Sequence, residues 1–143
     1  DFIDYADRKG VKIIYISNRR LENQQSTMGN LFKLGLTINP DDVILRPEGS
    51  NTKSDRRAYA QSLGEVAIFI GDNLADFSDE FEQEVSYLQR KDLAKNFSKA
   101  FGTYFIILPN PMYGGWEKAL NFDDPLIEGD EKGSKLKYMR SFE

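Results

Sequence analysis

A chain of 143 residues with 40% apolar and 13% aromatic content is long enough to bury a core as one domain, and no run in it approaches the ~20 apolar residues of a membrane span. Nineteen basic residues against 23 acidic ones give a net charge of −4 with no basic stripe, which argues against a nucleic-acid partner but leaves free nucleotides open. The absence of Cys and His excludes disulfides, thiolate chemistry, His-ligated zinc, Ser-His-Asp triads and phosphohistidine, so any chemistry must rest on Asp, Glu, Lys, Ser, Tyr or a metal.

In chain order, residues 2–8 carry apolar Phe2, Ile3 and Ala6 with charges between, which fits the last turns of a helix, and Gly10 follows as its stop. Residues 11–16 are predicted to be a strand ending at Ser17-Asn18-Arg19-Arg20, and residues 21–34 a helix with Leu21, Met28, Leu31, Phe32 and Leu34 on a broad stripe, stopped by Gly35. Asn39-Pro40-Asp41-Asp42 is a turn, and residues 43–45 a short strand closed by Pro47. A polar loop then delivers Lys53 to a helix over residues 54–63, with Ser54 as its expected cap. Residues 66–70 form a third strand, and Ser78 is expected to cap one long helix carrying Phe81, Val85, Leu88 and Phe97 on one face and ending at Gly102. A fourth strand at 104–108, a loop through Pro109, Asn110, Pro111, Met112 and Tyr113, and a short helix at 116–120 complete the pattern. Residues 121–143 are charged and read as a loosely packed polar tail on a single domain spanning 1–143.

The chain is organised around Val66-Ala67-Ile68-Phe69-Ile70-Gly71-Asp72-Asn73-Leu74-Ala75-Asp76-Phe77. Five apolar residues stopped by a glycine predict a strand buried on both faces, with Gly71 permitting a sharp turn and Asp72 leaving the strand end. Alternating helices and strands predict an α/β fold, a parallel sheet with helices on both faces. In such a sheet the carboxyl ends of all strands share one edge, so four polar clusters converge: Ser17-Asn18-Arg19, Lys53, Asp72 with Asp76, and Asn110 through Tyr113. A hydroxyl, an amide, a lysine and two carboxylates around one crevice suit a phosphate held against a divalent cation such as Mg²⁺. Each cluster also has a plainer reading: Ser17 and Asn18 as caps of the helix at Leu21, Lys53 and the arginines as surface charges, Asp72 in a turn, Tyr113 as a loop-packing ring and Trp116 as core.

Ile16-Ser17-Asn18-Arg19, Thr52-Lys53-Ser54-Asp55-Arg56-Arg57 and Gly71-Asp72-Asn73-Leu74-Ala75-Asp76-Phe77 resemble, in residues and spacing, the second, third and fourth motifs of the haloacid-dehalogenase-like (HAD) phosphatases. Within that superfamily the stretch from Leu108 to Glu117 is similar to the bacterial class C acid phosphatases, the outer-membrane lipoprotein type that acts as a 5′-nucleotidase. The likeness runs from about residue 2 to residue 120. It implies a Rossmann-like HAD core and a Mg²⁺-dependent phosphomonoesterase working through an aspartyl-phosphate. Position by position it implies Ser17 and Asn18 on the phosphoryl group, Lys53 on the phosphate and nucleophile, Asp72 as a metal ligand, Asp76 in support, and Tyr113 stacked on a nucleoside base. It further implies nucleoside monophosphates among the substrates, residence in the bacterial envelope (periplasm or outer membrane) or secretion, a lipid anchor outside these residues, and a homodimer.

One departure is large. The family's first motif, Asp-x-Asp-x-Thr, supplies the nucleophile and the general acid/base, and no such sequence occurs here; Asp4 lies in a helical pattern without a partner carboxylate. In the family that strand lies between the strand ending at Ser17 and the one ending at Asp72, so the central strand is expected to be missing from these residues. The abrupt start without Met fits a piece of a longer protein, inactive alone. The alternative is a degenerate relative that binds a nucleotide or phosphate without hydrolysing it.

Overall fold

Helix α1 (Phe2–Arg8) opens the computed structural model, which describes residues 1–50 and 52–122, and it stops as its pattern requires. Gly10 takes a φ of 72°, and the amides of Gly10 and Val11 donate back to the carbonyls of Asp7 and Ala6. The chain divides into two units, Asp1–Glu65 and the part from Val66 onward.

In the first unit, β1 (Tyr15–Arg20) pairs in parallel with β2 (Val43–Arg46). The strand therefore begins four residues later than the apolar run at 11–14 suggested. The partner decides this: Tyr15 faces Val43, and the residues before Val43 form the 3-10 turn Pro40–Asp42, capped by Asn39, which offers no ladder to residues 11–14. Lys12 instead forms an ion pair with Asp42 at 2.8 Å, which raises the lysine above its ordinary pKa. Between the paired positions Ile16↔Ile44 and Arg20↔Arg46 the register shifts, and β1 carries two more residues than β2. Ser17, Asn18 and Arg19 lie in that bulge, inside the strand and not in a loop after it.

The helix expected from residue 21 is a 3-10 turn (Leu21–Asn23) followed by α2 (Gln24–Lys33), closed by Gly35 at φ 80°. Its predicted stripe is only partly inward: Met28 and Leu31 are half-buried, whereas Leu21, Phe32 and Leu34 are exposed. Helix α3 (Ser54–Ser62) has Lys53 at its cap position, so Ser54 is the first residue inside the helix and not the cap. Val43 and Leu45, on one alternate face of β2, are buried, and so are Arg56 and Arg57 of α3.

In the second unit, β3 (Phe69–Gly71) pairs in parallel with β4 (Phe105–Ile107). The expectation of a five-residue strand buried on both faces is corrected here. Only three residues pair, because the residues preceding Phe105 form a turn, and Ile70 remains 44% exposed. The described strands make two two-stranded parallel sheets, β1-β2 and β3-β4, in agreement with the expected lack of a central strand. Residues 66–68 and 11–14 carry strand-forming side chains without a strand partner among the described residues.

The long helix expected from Ser78 to Gly102 is also two elements. A 3-10 turn (Asp79–Glu82) capped by Ser78 gives way to extended backbone at Gln83, and α4 (Tyr87–Asn96) starts afresh behind Ser86. The reason is a capping box: Ser86 Oγ accepts from the Gln89 amide at 3.2 Å while Gln89 Oε1 accepts from the Ser86 amide at 3.0 Å. Helix α5 (Gly115–Phe122) follows β4 and its loop. The core of this unit is aromatic. Phe77 stacks on Phe105 at 4.9 Å between centroids and meets Phe101 edge-on, while Phe81 and Phe97 pack at 5.2 Å. The expected polar tail at 121–143 lies, beyond the end of α5, outside the described residues.

Candidate functional site

The carboxyl end of β3 is built around a glycine with no room above it. A Cβ at Gly71 would sit 2.5 Å from Asp76 Oδ2 and 2.6 Å from Asp76 Cβ. Gly71 does not adopt positive φ, so its smallness serves clearance for Asp76 and not the sharp turn expected from the sequence. The cleared carboxylate folds back: Asp76 Oδ2 accepts from the amides of Asp72 at 3.1 Å and Asn73 at 3.0 Å. Asn73 Oδ1 in turn accepts from the Ala75 amide, and Phe77, one residue beyond Asp76, is buried at 5% exposure in the aromatic cluster. The loop is therefore pinned at both ends before any ligand arrives.

Asp72 itself is exposed, and its Oδ2 accepts from Asn110 Nδ2 at 2.9 Å. Asn110 Oδ1 accepts from the amides of Met112 and Tyr113, and Trp116 Nε1 donates to the Asn110 carbonyl at 3.1 Å. One side chain thus joins the acidic loop to the loop bearing Tyr113. Tyr113 is 66% exposed, which removes the reading that it packs its own loop. Trp116 is half-buried and hydrogen-bonded, not a core residue.

Arg90 supports this arrangement from α4. It is 7% exposed, with Nη1 donating to the Phe81 carbonyl and Nη2 to Asn73 Oδ1, each at 3.2 Å. Burial pushes its guanidinium below the ordinary arginine value. A Cβ at Gly115 would sit 3.0 Å from Arg90 Nη1 and Nη2, so α5 begins with a residue small enough to lie against the guanidinium.

In the first unit, Arg56 is the organising side chain. Its Nη1 donates to the Ser17 carbonyl at 2.5 Å, and its Nη2 donates to Asn18 Oδ1 and to the Thr52 carbonyl, both at 2.7 Å. The bulge with Ser17 and Asn18 is thereby tied to the residue preceding Lys53. Ser17 and Asn18 do not cap the following helix: the 3-10 turn begins behind Arg20, with no side-chain cap bond. Ser17 Oγ accepts instead from the Arg19 amide at 3.2 Å. Lys53 is half-buried. Arg20 is paired at the surface with Glu22 at 3.5 Å.

The structure thus brings the predicted residues together in two sets, Ser17, Asn18 and Lys53 in one unit and Asp72, Asp76, Asn110 and Tyr113 in the other. Arg56, Arg90 and the capping role of Ser86 went unread in the sequence. The spacing Ser86-x-x-Gln89 was there to reveal the last; nothing distinguishes a buried arginine from the surface arginines beside it.

A family model for the HAD superfamily, subfamily IIIB (acid phosphatase), matches residues 1–116. This chain belongs to that family. Its structure is also similar to that of the class C acid phosphatase from Bacillus anthracis, at 32% identity and a TM-score of 0.84 over all of this chain and 60% of that one. The crystal structure of the Bacillus anthracis class C acid phosphatase with tungstate bound matches at 32% identity and a TM-score of 0.85, with the same coverage. The chain therefore spans about 60% of the length of these acid phosphatases. Mixed helices and parallel strands agree with the HAD acid-phosphatase fold.

The HAD reading gives the donor set a test. Among the described residues no three His, Cys, Asp or Glu side chains gather as a protein-only metal site would need. Mg²⁺ is commonly held by one or two carboxylates plus substrate phosphate and water, and an exposed Asp72 at a strand end fits that pattern.

Proposed function

We propose that this chain is the phosphate- and metal-binding part of a phosphomonoesterase of the acid-phosphatase type. The observation that carries the reading is Asp72: an exposed carboxylate at the carboxyl end of a parallel strand, on a loop fixed by Asp76, in a chain of the acid-phosphatase family.

In this reading Asp72 holds Mg²⁺, which when bound neutralises phosphate charge. Ser17 donates its hydroxyl proton and Asn18 its amide protons to phosphoryl oxygens, and Lys53 balances the remaining negative charge. Asp76 acts by keeping the Asp72 and Asn73 amides in place. The nucleophile is a carboxylate of an Asp-x-Asp-x-Thr strand outside these 143 residues. Its oxygen bonds to phosphorus as the ester oxygen leaves with a proton from the second aspartate, and water then cleaves the acyl-phosphate. Tyr113, exposed beside Asn110, offers a ring for a nucleoside base, which makes nucleoside monophosphates the substrate class. By the same family reasoning the protein works in the bacterial envelope or outside the cell, anchored by lipid, as a homodimer.

The test is phosphate release from a nucleoside monophosphate by the full-length protein, with and without Mg²⁺, beside Asp72→Asn. We expect Mg²⁺-dependent turnover in the wild type and a loss of about 10²-fold or more in kcat in the variant. Near-normal kinetics of the variant at saturating Mg²⁺ would sink the metal assignment. Nucleotide binding without any release would establish a binding module instead of an enzyme.

A further inference from the structure

We infer that Arg56 is a positioning residue that orients Ser17 and Asn18 toward a bound phosphate and couples them to Lys53, an inference that rests on the phosphate-binding roles just proposed for those three residues. An amide side chain has a donor end and an acceptor end, and which end faces a ligand depends on what holds the other. Arg56 Nη2 takes the acceptor end of Asn18, Oδ1, at 2.7 Å. Nδ2 is thereby the end available to an anion, and among the described residues it has no acceptor. The same guanidinium fixes the backbone on either side of the site: Nη1 on the Ser17 carbonyl and Nη2 on the Thr52 carbonyl, one residue before Lys53.

The fold creates the need for this contact. Because β1 bulges between Ile16 and Arg20, Ser17 and Asn18 stand outside the regular ladder that would otherwise set their direction. Arg56 is 6% exposed and lies in the first turn of α3, so it acts through Asn18 and the two carbonyls and not by reaching the phosphate itself. Three acceptors around one planar fork suit arginine and not lysine, whose ammonium is a point charge on a flexible stem.

The test measures kcat and KM for p-nitrophenyl phosphate in the full-length protein, its Arg56→Lys and Asn18→Ala variants, and the double variant. We expect Arg56→Lys, which keeps the charge, to lower kcat/KM at least tenfold, and the double variant to lose less than the product of the two single losses. Undiminished kcat/KM in Arg56→Lys, or losses that multiply in full, would overturn the inference. Should Arg56→Lys not fold, the wild type decides: inorganic phosphate should shift the Asn18 side-chain amide resonances in ¹⁵N-edited spectra, and unmoved resonances in a protein that turns over substrate would reject the role. A wild type that neither hydrolyses the ester nor binds phosphate fails at the earlier step, the proposed function, and takes this inference with it.

Discussion

Gly71 and Asp76 behave as one structural unit. The carboxylate that accepts from two successive amides occupies the space a methyl group at residue 71 would need, with 2.5 Å to Oδ2 and 2.6 Å to Cβ. Gly71→Ala should therefore destabilise the protein by about 1–3 kcal/mol, the range for forcing an extra carbon into a packed site. Urea unfolding measures it, and the cost should shrink when Asp76→Gly is made first, because the opposing Cβ is then gone. An equal cost in both backgrounds would mean that the clearance is not the reason for the glycine. Much of this loop was legible in the sequence, since the order Gly71-Asp72-Asn73-Leu74-Ala75-Asp76-Phe77 marks a strand end with two carboxylates. The division of labour between the two was not: Asp76 folded onto main-chain amides and Asp72 exposed is a distinction of side-chain direction, which spacing alone does not carry.

Elements were legible in kind and less so in extent. The glycines at 10, 35 and 102 all adopt positive φ where helices or turns end, and each parallel strand falls within or beside an apolar run. Strand length is set by the partner, so the largely apolar residues 11–14 and 66–68 read as strand and are not. The break before α4 was hidden for a different reason. Phe81, Val85, Leu88 and Phe97 have spacing that one continuous helix would satisfy, but the Ser86–Gln89 box gives the chain a second start. Ser86→Ala should cost about 1 kcal/mol, within the usual ~0.5–2 for a lost cap. Ser78→Ala should cost less, since Ser78 accepts at 3.4 Å ahead of a single 3-10 turn. Denaturation of the two variants side by side checks the ranking, and a reversed order would show that the helix begins at Ser78 in solution.

For the molecule as a whole, acidic residues outnumber basic ones 23 to 19, and charge neutrality falls near pH 5.0. Phe32 and Leu34 at 75% exposure and Met112 at 80% give the surface apolar side chains that repulsion keeps apart at neutral pH. As pH falls from 7 the net charge of −4 moves to zero and then becomes positive, so light scattering from these 143 residues should peak near pH 5 and decline on either side. A flat profile from pH 4 to 8 would show that charge does not govern association.

At this scale the sequence made the α/β class and the family resemblance readable, because three ordered motifs survive any error in element length. The splitting into two parallel pairs agrees with the lack of a central strand that the absent Asp-x-Asp-x-Thr sequence led one to expect.

The 143 residues contain a single tryptophan, and its indole N–H ends on the carbonyl of the residue whose amide holds Asp72. Indole emission from Trp116 consequently comes from one address, two hydrogen bonds from that carboxylate. These residues carry a built-in optical probe of their own acidic loop, readable without a label and without turnover.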